Sequence, residues 1–123
     1  FALDAKFKIG LIDDVLASKE MYLGRYYIKK EKWIPAINRF KNILNNYDTT
    51  VYTEEAIHRL VEIHYKIGLE TESRKYASLL SYNYLSSEWY EKSYKIFNKK
   101  YKTRKLKKEK EKNSLIKRFK KLF

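Results

Sequence analysis

The sequence predicts an all-α fold of stacked helical hairpins, and three observations carry that expectation. Only 3 glycines and 1 proline interrupt 123 residues, too little turn chemistry for a sheet of many strands. Apolar residues return at three- and four-residue spacing, the period of a helix face. The chain also matches itself at an offset of 37 residues.

At that offset Leu23, Gly24, Tyr27, Ala36, Phe40, Ile43 and Tyr47 fall on Leu60, Val61, His64, Ser73, Ala77, Leu80 and Tyr84. The linker Tyr47-Asp48-Thr49-Thr50 falls on Tyr84-Leu85-Ser86-Ser87. A period in the thirties marks hairpins that bury their apolar faces by stacking. Within a unit, a small residue (Gly24) precedes an aromatic (Tyr27) on one helix. Ala36 and Phe40 stand four apart on the next, where the ring fills the closing hairpin. Small, aromatic, then alanine and a bulky ring is the pattern of the tetratricopeptide repeat.

The elements follow in order. Residues 3–30 read as one long helix that tolerates Gly10 and Gly24. A turn near 31–34 leads into a second helix, with Trp33 just before it and Pro35 in its first turn, where proline is tolerated. After a turn at 48–52, Thr53 is the expected cap of a third helix. Glu54 and Glu55 suit the positive end of its dipole, and Gly68 ends it. Ile57, Leu60, Val61, Ile63 and His64 form its apolar face. Residues 70–84 make the partner helix, with Ala77, Leu80 and Tyr84 on one side. Ser87, followed by Glu88, opens a fifth helix carrying Trp89, Tyr90, Tyr94 and Phe97. A sixth falls to the tail.

Composition limits the function classes. Apolar residues at 44% suit a globular chain, and 12 tyrosines allow many rings to pack with their hydroxyls in water. The net charge of +13 is unevenly placed: residues 99–123 hold 13 Lys/Arg against two Glu, a net of +11. Residues 1–98 are nearly neutral at +2, which argues against a nucleic-acid-binding body. The expected organisation is a repeat region over 1–98 and a basic tail over 99–123. Lysine, asparagine, isoleucine and tyrosine abound throughout, so codon bias is an alternative source of some of the basicity. With no cysteine, disulfides, thiolate zinc sites and cysteine nucleophiles are excluded. No apolar run approaches the roughly 18 residues of a membrane span. Phe1 is not an initiator, and a helical pattern is already running there. The sequence therefore reads as a fragment or a processed chain with any targeting signal upstream.

Catalytic and metal chemistry find no support. His58 and His64, six apart, point about 120° away from each other on a helix and cannot share a metal from one face. Asp13-Asp14 is expected to be solvated, and adjacent carboxylates diverge on a helix. No phosphate loop or nucleophile elbow occurs. Neither a cofactor nor an enzyme activity is expected.

The tail divides in two. Residues 99–113, dominated by lysine, read as a solvated, mobile segment. Over residues 114–123, Leu115, Ile116, Phe119, Leu122 and Phe123 recur at helical spacing, with Lys117, Arg118, Lys120 and Lys121 opposite. Such a short basic amphipathic helix suits an anionic membrane surface or a partner groove. The alternatives are packing back on the repeats as a cap, or disorder.

Four runs carry a family resemblance. Leu16-Ala17-Ser18-Lys19-Glu20-Met21-Tyr22-Leu23-Gly24-Arg25-Tyr26-Tyr27 is similar to the third-repeat region of the BamD family, especially its alphaproteobacterial forms. So are Trp33-Ile34-Pro35-Ala36-Ile37-Asn38-Arg39-Phe40, Glu55-Ala56-Ile57-His58-Arg59-Leu60-Val61-Glu62 and Ser87-Glu88-Trp89-Tyr90. The resemblance covers about residues 2–97. It implies a lipid-anchored periplasmic subunit of the outer-membrane β-barrel assembly (BAM) complex, which supports outer-membrane protein insertion. In the family, the later repeats dock on the membrane-proximal POTRA domain of BamA. This chain matches those repeats and carries neither the lipidated cysteine nor the substrate pocket, so direct substrate recognition is not expected of it. Asp48, where such repeats usually have proline, and the basic tail depart from the pattern.

The resemblance places Asn38 and Arg39 in the docking region. Phe40 faces the hairpin interior, so Arg39, rotated by about 100°, falls beside or outside the packed seam. There its guanidinium can hold a partner carboxylate with two parallel hydrogen bonds; the alternative is a surface arginine paired with a neighbouring Glu, worth only about 0–1 kcal/mol. The tail candidates for membrane or partner contact are Lys117, Arg118, Phe119, Lys120 and Lys121. Two rival functions stand beside this one. One is a cytoplasmic repeat adaptor for peptide termini, which an upstream signal peptide and lipidated cysteine would exclude. The other, less favoured, is nucleic-acid binding through the tail, with Tyr101 and Phe119 among its lysines.

Overall fold

A computed structural model describes residues 2–84, 87–98 and 104–122, with side chains except those of 104–110. Six helices occur among these residues: α1 Ala2–Lys29, α2 Trp33–Asn46, α3 Thr53–Lys66, α4 Glu70–Asn83, α5 Glu88–Phe97 and α6 Arg104–Lys121. α1 packs on α2 and α3 on α4, forming two hairpins. α2 joins the hairpins through α3, and α5 lies against both α3 and α4. No strand occurs among the described residues. The chain is all-α and tetratricopeptide-like, as its punctuation predicts.

The offset of 37 residues is visible in the backbone. Lys32 and Leu69 flank the starts of α2 and α4, and Tyr47 and Tyr84 close them. Each tyrosine donates its N–H at 2.8 Å, to the carbonyls of Ile43 and Leu80 respectively. The turns before these helices also coincide. Gly68 has φ +88° and Glu31 has φ +55°, both left-handed. Leu69 N–H donates to the His64 carbonyl at 2.8 Å, and Lys32 N–H to the Tyr27 carbonyl at 2.9 Å. Both turns are thus Schellman caps, which satisfy carbonyls that a helix end leaves open.

Burial follows the same register with side-chain sizes exchanged. In the first hairpin Gly24 faces Phe40, and a Cβ on Gly24 would come within 2.5 Å of the ring. The matching positions of the second hairpin, Val61 and Ala77, are both buried, with the larger side chain now on the first helix. Ala36 is matched by Ser73, also wholly buried, whose hydroxyl donates to the Val61 carbonyl at 2.7 Å. A buried hydroxyl needs such a partner. Around Phe40, Met21, Ile37, Ile43, Ala56, Leu60 and Ile63 form the central core. Tyr27, Trp33, Tyr47 and Tyr52 lie half-buried around it.

Several expectations are corrected. Thr53 begins α3 rather than capping it; the cap position is Tyr52, with no side-chain bond. The Thr53 hydroxyl instead donates to the Asp48 carbonyl at 2.9 Å and holds the preceding turn. Trp33 is the first residue of α2 rather than its predecessor. Asp13 and Asp14 are half-exposed. The tail helix is longer than expected and starts at Arg104, within the segment read as solvated and mobile. Residues 111–122 are all exposed, so that part of α6 does not cap the repeats. Tyr101, Phe123 and residues 85–86 of the expected linker lie outside the described residues.

Candidate docking surface

The two residues singled out on α2 line a surface groove. Glu20 and Tyr27 of α1 form one wall, and Pro35, Asn38, Arg39 and Asn42 of α2 the other, around a volume of about 400 Å³. Phe40, pointing inward, fixes the register that turns Asn38 and Arg39 toward this side. Asn38 is exposed, with an amide that both donates and accepts. Arg39 is already engaged across the hairpin. Its Nη1 donates to Glu20 Oε1 at 3.2 Å and Oε2 at 3.4 Å. The Arg39 side chain is 39% exposed and that of Glu20 14%. A partly exposed pair of this kind is worth only about 0–1 kcal/mol. Both contacts to Glu20 use the single nitrogen Nη1.

A second charged constellation was not legible as such in the sequence. Glu55, expected only to complement the α3 dipole, is buried and bonded to Arg25 of α1. Arg25 Nε donates to Glu55 Oε2 at 3.0 Å and Nη2 at 2.6 Å, and Nη2 also meets Oε1. Arg59 lies 3.9 Å from the same carboxylate, one turn along α3, and its guanidinium stands over the Trp89 ring. These groups tie α1, α3 and α5 together. Arg25 and Glu55 are thirty positions apart, and no local spacing rule reaches that far.

His58 lies between α3 and α5. Its Nδ1 is 2.8 Å from Ser93 Oγ and its Nε2 is 2.6 Å from Glu62 Oε1. Hydroxyl, imidazole and carboxylate stand in the order that hydrolases use. Ser93, however, is 0% exposed and His58 only 2%, so no substrate can reach the hydroxyl. The arrangement pins two helices, with the Trp89 ring against His58. Burial alone would raise the Glu62 carboxyl, but the hydrogen bond and charge of His58, joined by Arg59, outweigh it and leave its pKa lowered. His64, bonded at 2.7 Å to the Leu60 carbonyl, is likewise structural. No group of three or more metal-ligating side chains occurs among the described residues.

The tail candidates lie apart from the groove. Lys117, Arg118, Phe119, Lys120 and Lys121 are all exposed on α6, together with Leu115, Ile116 and Leu122. No described helix is long and apolar enough to cross a membrane.

Known proteins place these hairpins in a family. A model of the YfiO family, described as outer membrane lipoprotein, matches residues 1–80. The outer membrane protein assembly factor BamD of Rickettsia prowazekii (strain Madrid E) is 47% identical over 96 residues, covering 78% of this chain and 38% of that protein. BamD of Caulobacter vibrioides is 41% identical over 98 residues, 80% of this chain and 32% of that protein. BamD of Neisseria gonorrhoeae is 38% identical over 66 residues, 54% of this chain and 24% of that protein. The chain therefore spans about a third of the length of the first two relatives. The family description and these names support outer-membrane association. With the repeat geometry and this match in hand, the chain belongs to the outer membrane lipoprotein family that includes the BamD assembly factors.

Proposed function

We propose that this chain is a docking scaffold of the BAM complex, on the periplasmic face of the outer membrane. It holds BamA at the membrane-proximal POTRA domain and so supports insertion of outer-membrane proteins. Its work is positioning without catalysis. In the full-length protein a lipid anchor would hold it at the membrane. The observation that carries this reading is 47% identity, across 96 residues, to a protein named outer membrane protein assembly factor.

The groove supports the reading in physical terms. Interface energy concentrates in a few anchored side chains, with arginine prominent among them. Arg39 offers a planar donor already positioned by Glu20, and Asn38 adds adaptable hydrogen bonding beside it. Stacked hairpins keep both on one rigid helix face. The test is to titrate this chain against the soluble POTRA region of BamA by calorimetry. Saturable binding at one site is expected. No heat, with both proteins folded, contradicts the proposal.

A further inference from the structure

We propose that α6 is an anionic-membrane-binding helix that lies flat on a phospholipid surface through Leu115, Ile116 and Leu122, with Arg118 and Lys120 beside them at the headgroups. At about 100° per residue, Leu115, Phe119 and Leu122 fall within about 60°, and Ile116 widens the apolar arc to about 120°. Arg118 and Lys120 flank that arc, while Lys117 and Lys121 take the opposite side. Flanking cations on long apolar stems can reach headgroups while the arc enters the acyl boundary. Leu115 is 63% exposed and Leu122 79%.

Charge selects this occupant. The helix RKLKKEKEKNSLIKRFKK carries ten Lys/Arg against two Glu, a net of +8, whereas the whole of residues 1–98 is near +2. Clustered cations are drawn to anionic leaflets, and an apolar face beside them adds insertion. A phosphate backbone would satisfy the cations equally well, but leucine and isoleucine gain nothing there, because bases stack on aromatic or guanidinium planes. The family's outer-membrane association puts a lipid surface within reach. The matched family residues end at 80, so α6 lies beyond them.

The experiment is co-sedimentation of the whole chain with vesicles of phosphatidylglycerol or of phosphatidylcholine, at low and high salt. The chain should pellet with phosphatidylglycerol, release as salt rises, and stay in solution with phosphatidylcholine. Arg118→Gln with Lys120→Gln should weaken binding more than tenfold, since each cation near such a surface contributes roughly fivefold. Leu115→Ser with Leu122→Ser should also weaken it, by about tenfold or more. Circular dichroism should find both variants as helical in the repeat region as the parent. Equal pelleting with both lipids overturns the proposal, as does binding that salt leaves unchanged. Parent-like binding by both variants overturns it too, and moves the contact to another surface, such as the exposed apolar residues of α1. If vesicles are ignored while a single-stranded oligonucleotide is bound, the tail is a nucleic-acid site instead. POTRA docking is assigned to Arg39, so vesicle binding and docking can fail independently.

Discussion

Gly24 faces the Phe40 ring with no room for a methyl group, and Phe40 is wholly buried with nowhere to move. Gly24→Ala gains up to about 1 kcal/mol of helix propensity but overpacks the seam, which costs about 1–3 kcal/mol. A net loss of about 1 kcal/mol is expected as a lower urea midpoint, whereas a rise would mean the hairpin opens easily. This contact was legible because small and bulky residues recur at hairpin spacing. The Arg25–Glu55 bond was not, since only the folded chain brings those positions together. Arg25→Leu leaves a buried carboxylate with Arg59 alone at 3.9 Å. With Arg25 itself half-exposed, a loss of about 1–2 kcal/mol is expected in denaturant unfolding. Glu62 makes a pH prediction. Its carboxyl is held below its ordinary value in the folded chain, so its stabilisation is present above the unfolded pKa. That stabilisation is lost as pH falls through the folded one. Glu62→Gln should therefore flatten the acid side of a plot of melting temperature against pH. An unchanged acid slope would remove Glu62 from the account.

Between residues and the whole fold, the turns decide where helices stop. Glu31 and Gly68 occupy the same place in successive units, yet only Gly68 suits a left-handed backbone without strain. A non-glycine residue there costs about 1–2 kcal/mol, partly offset by the greater freedom of glycine in the unfolded chain. Glu31→Gly should stabilise the protein by about 0.5–1 kcal/mol in thermal unfolding, and destabilisation would mean the Glu31 side chain has a role of its own. The α5 cap was legible: Ser87 Oγ accepts from Tyr90 N–H at 3.0 Å, as a serine before an acidic first turn suggests. The cap expected at Thr53 was not formed, because its hydroxyl found the Asp48 carbonyl behind it. Sequence offers both partners to a threonine, and the turn geometry chooses. The start of α6 was misread for another reason. Lysine density suggests solvation, but Lys, Arg, Glu and Leu are all good helix formers, and no Gly or Pro interrupts 104–121.

Across the whole molecule, two hairpins and α5 build one supported face, and α1 carries exposed apolar residues along its first half, among them Leu3, Phe7, Leu11 and Val15. Large exposed apolar faces mark interaction surfaces, which accords with a scaffold. The architecture was legible because every unit repeats the same spacing. The groove was legible only in part: its α2 wall came from the resemblance, whereas Glu20, nineteen positions before Arg39, emerges only when the hairpin closes. That pairing also changes how the docking claim must be tested, because Arg39→Leu alone strands a mostly buried carboxylate. The direct measurement compares the affinity for BamA's POTRA region of the parent chain, Glu20→Gln, and Glu20→Gln combined with Arg39→Leu. With Glu20→Gln as reference, removing Arg39 should weaken binding at least about tenfold, or about 1.4 kcal/mol, with the melting transition little moved. Equal affinity for the single and double variants would contradict docking through Arg39.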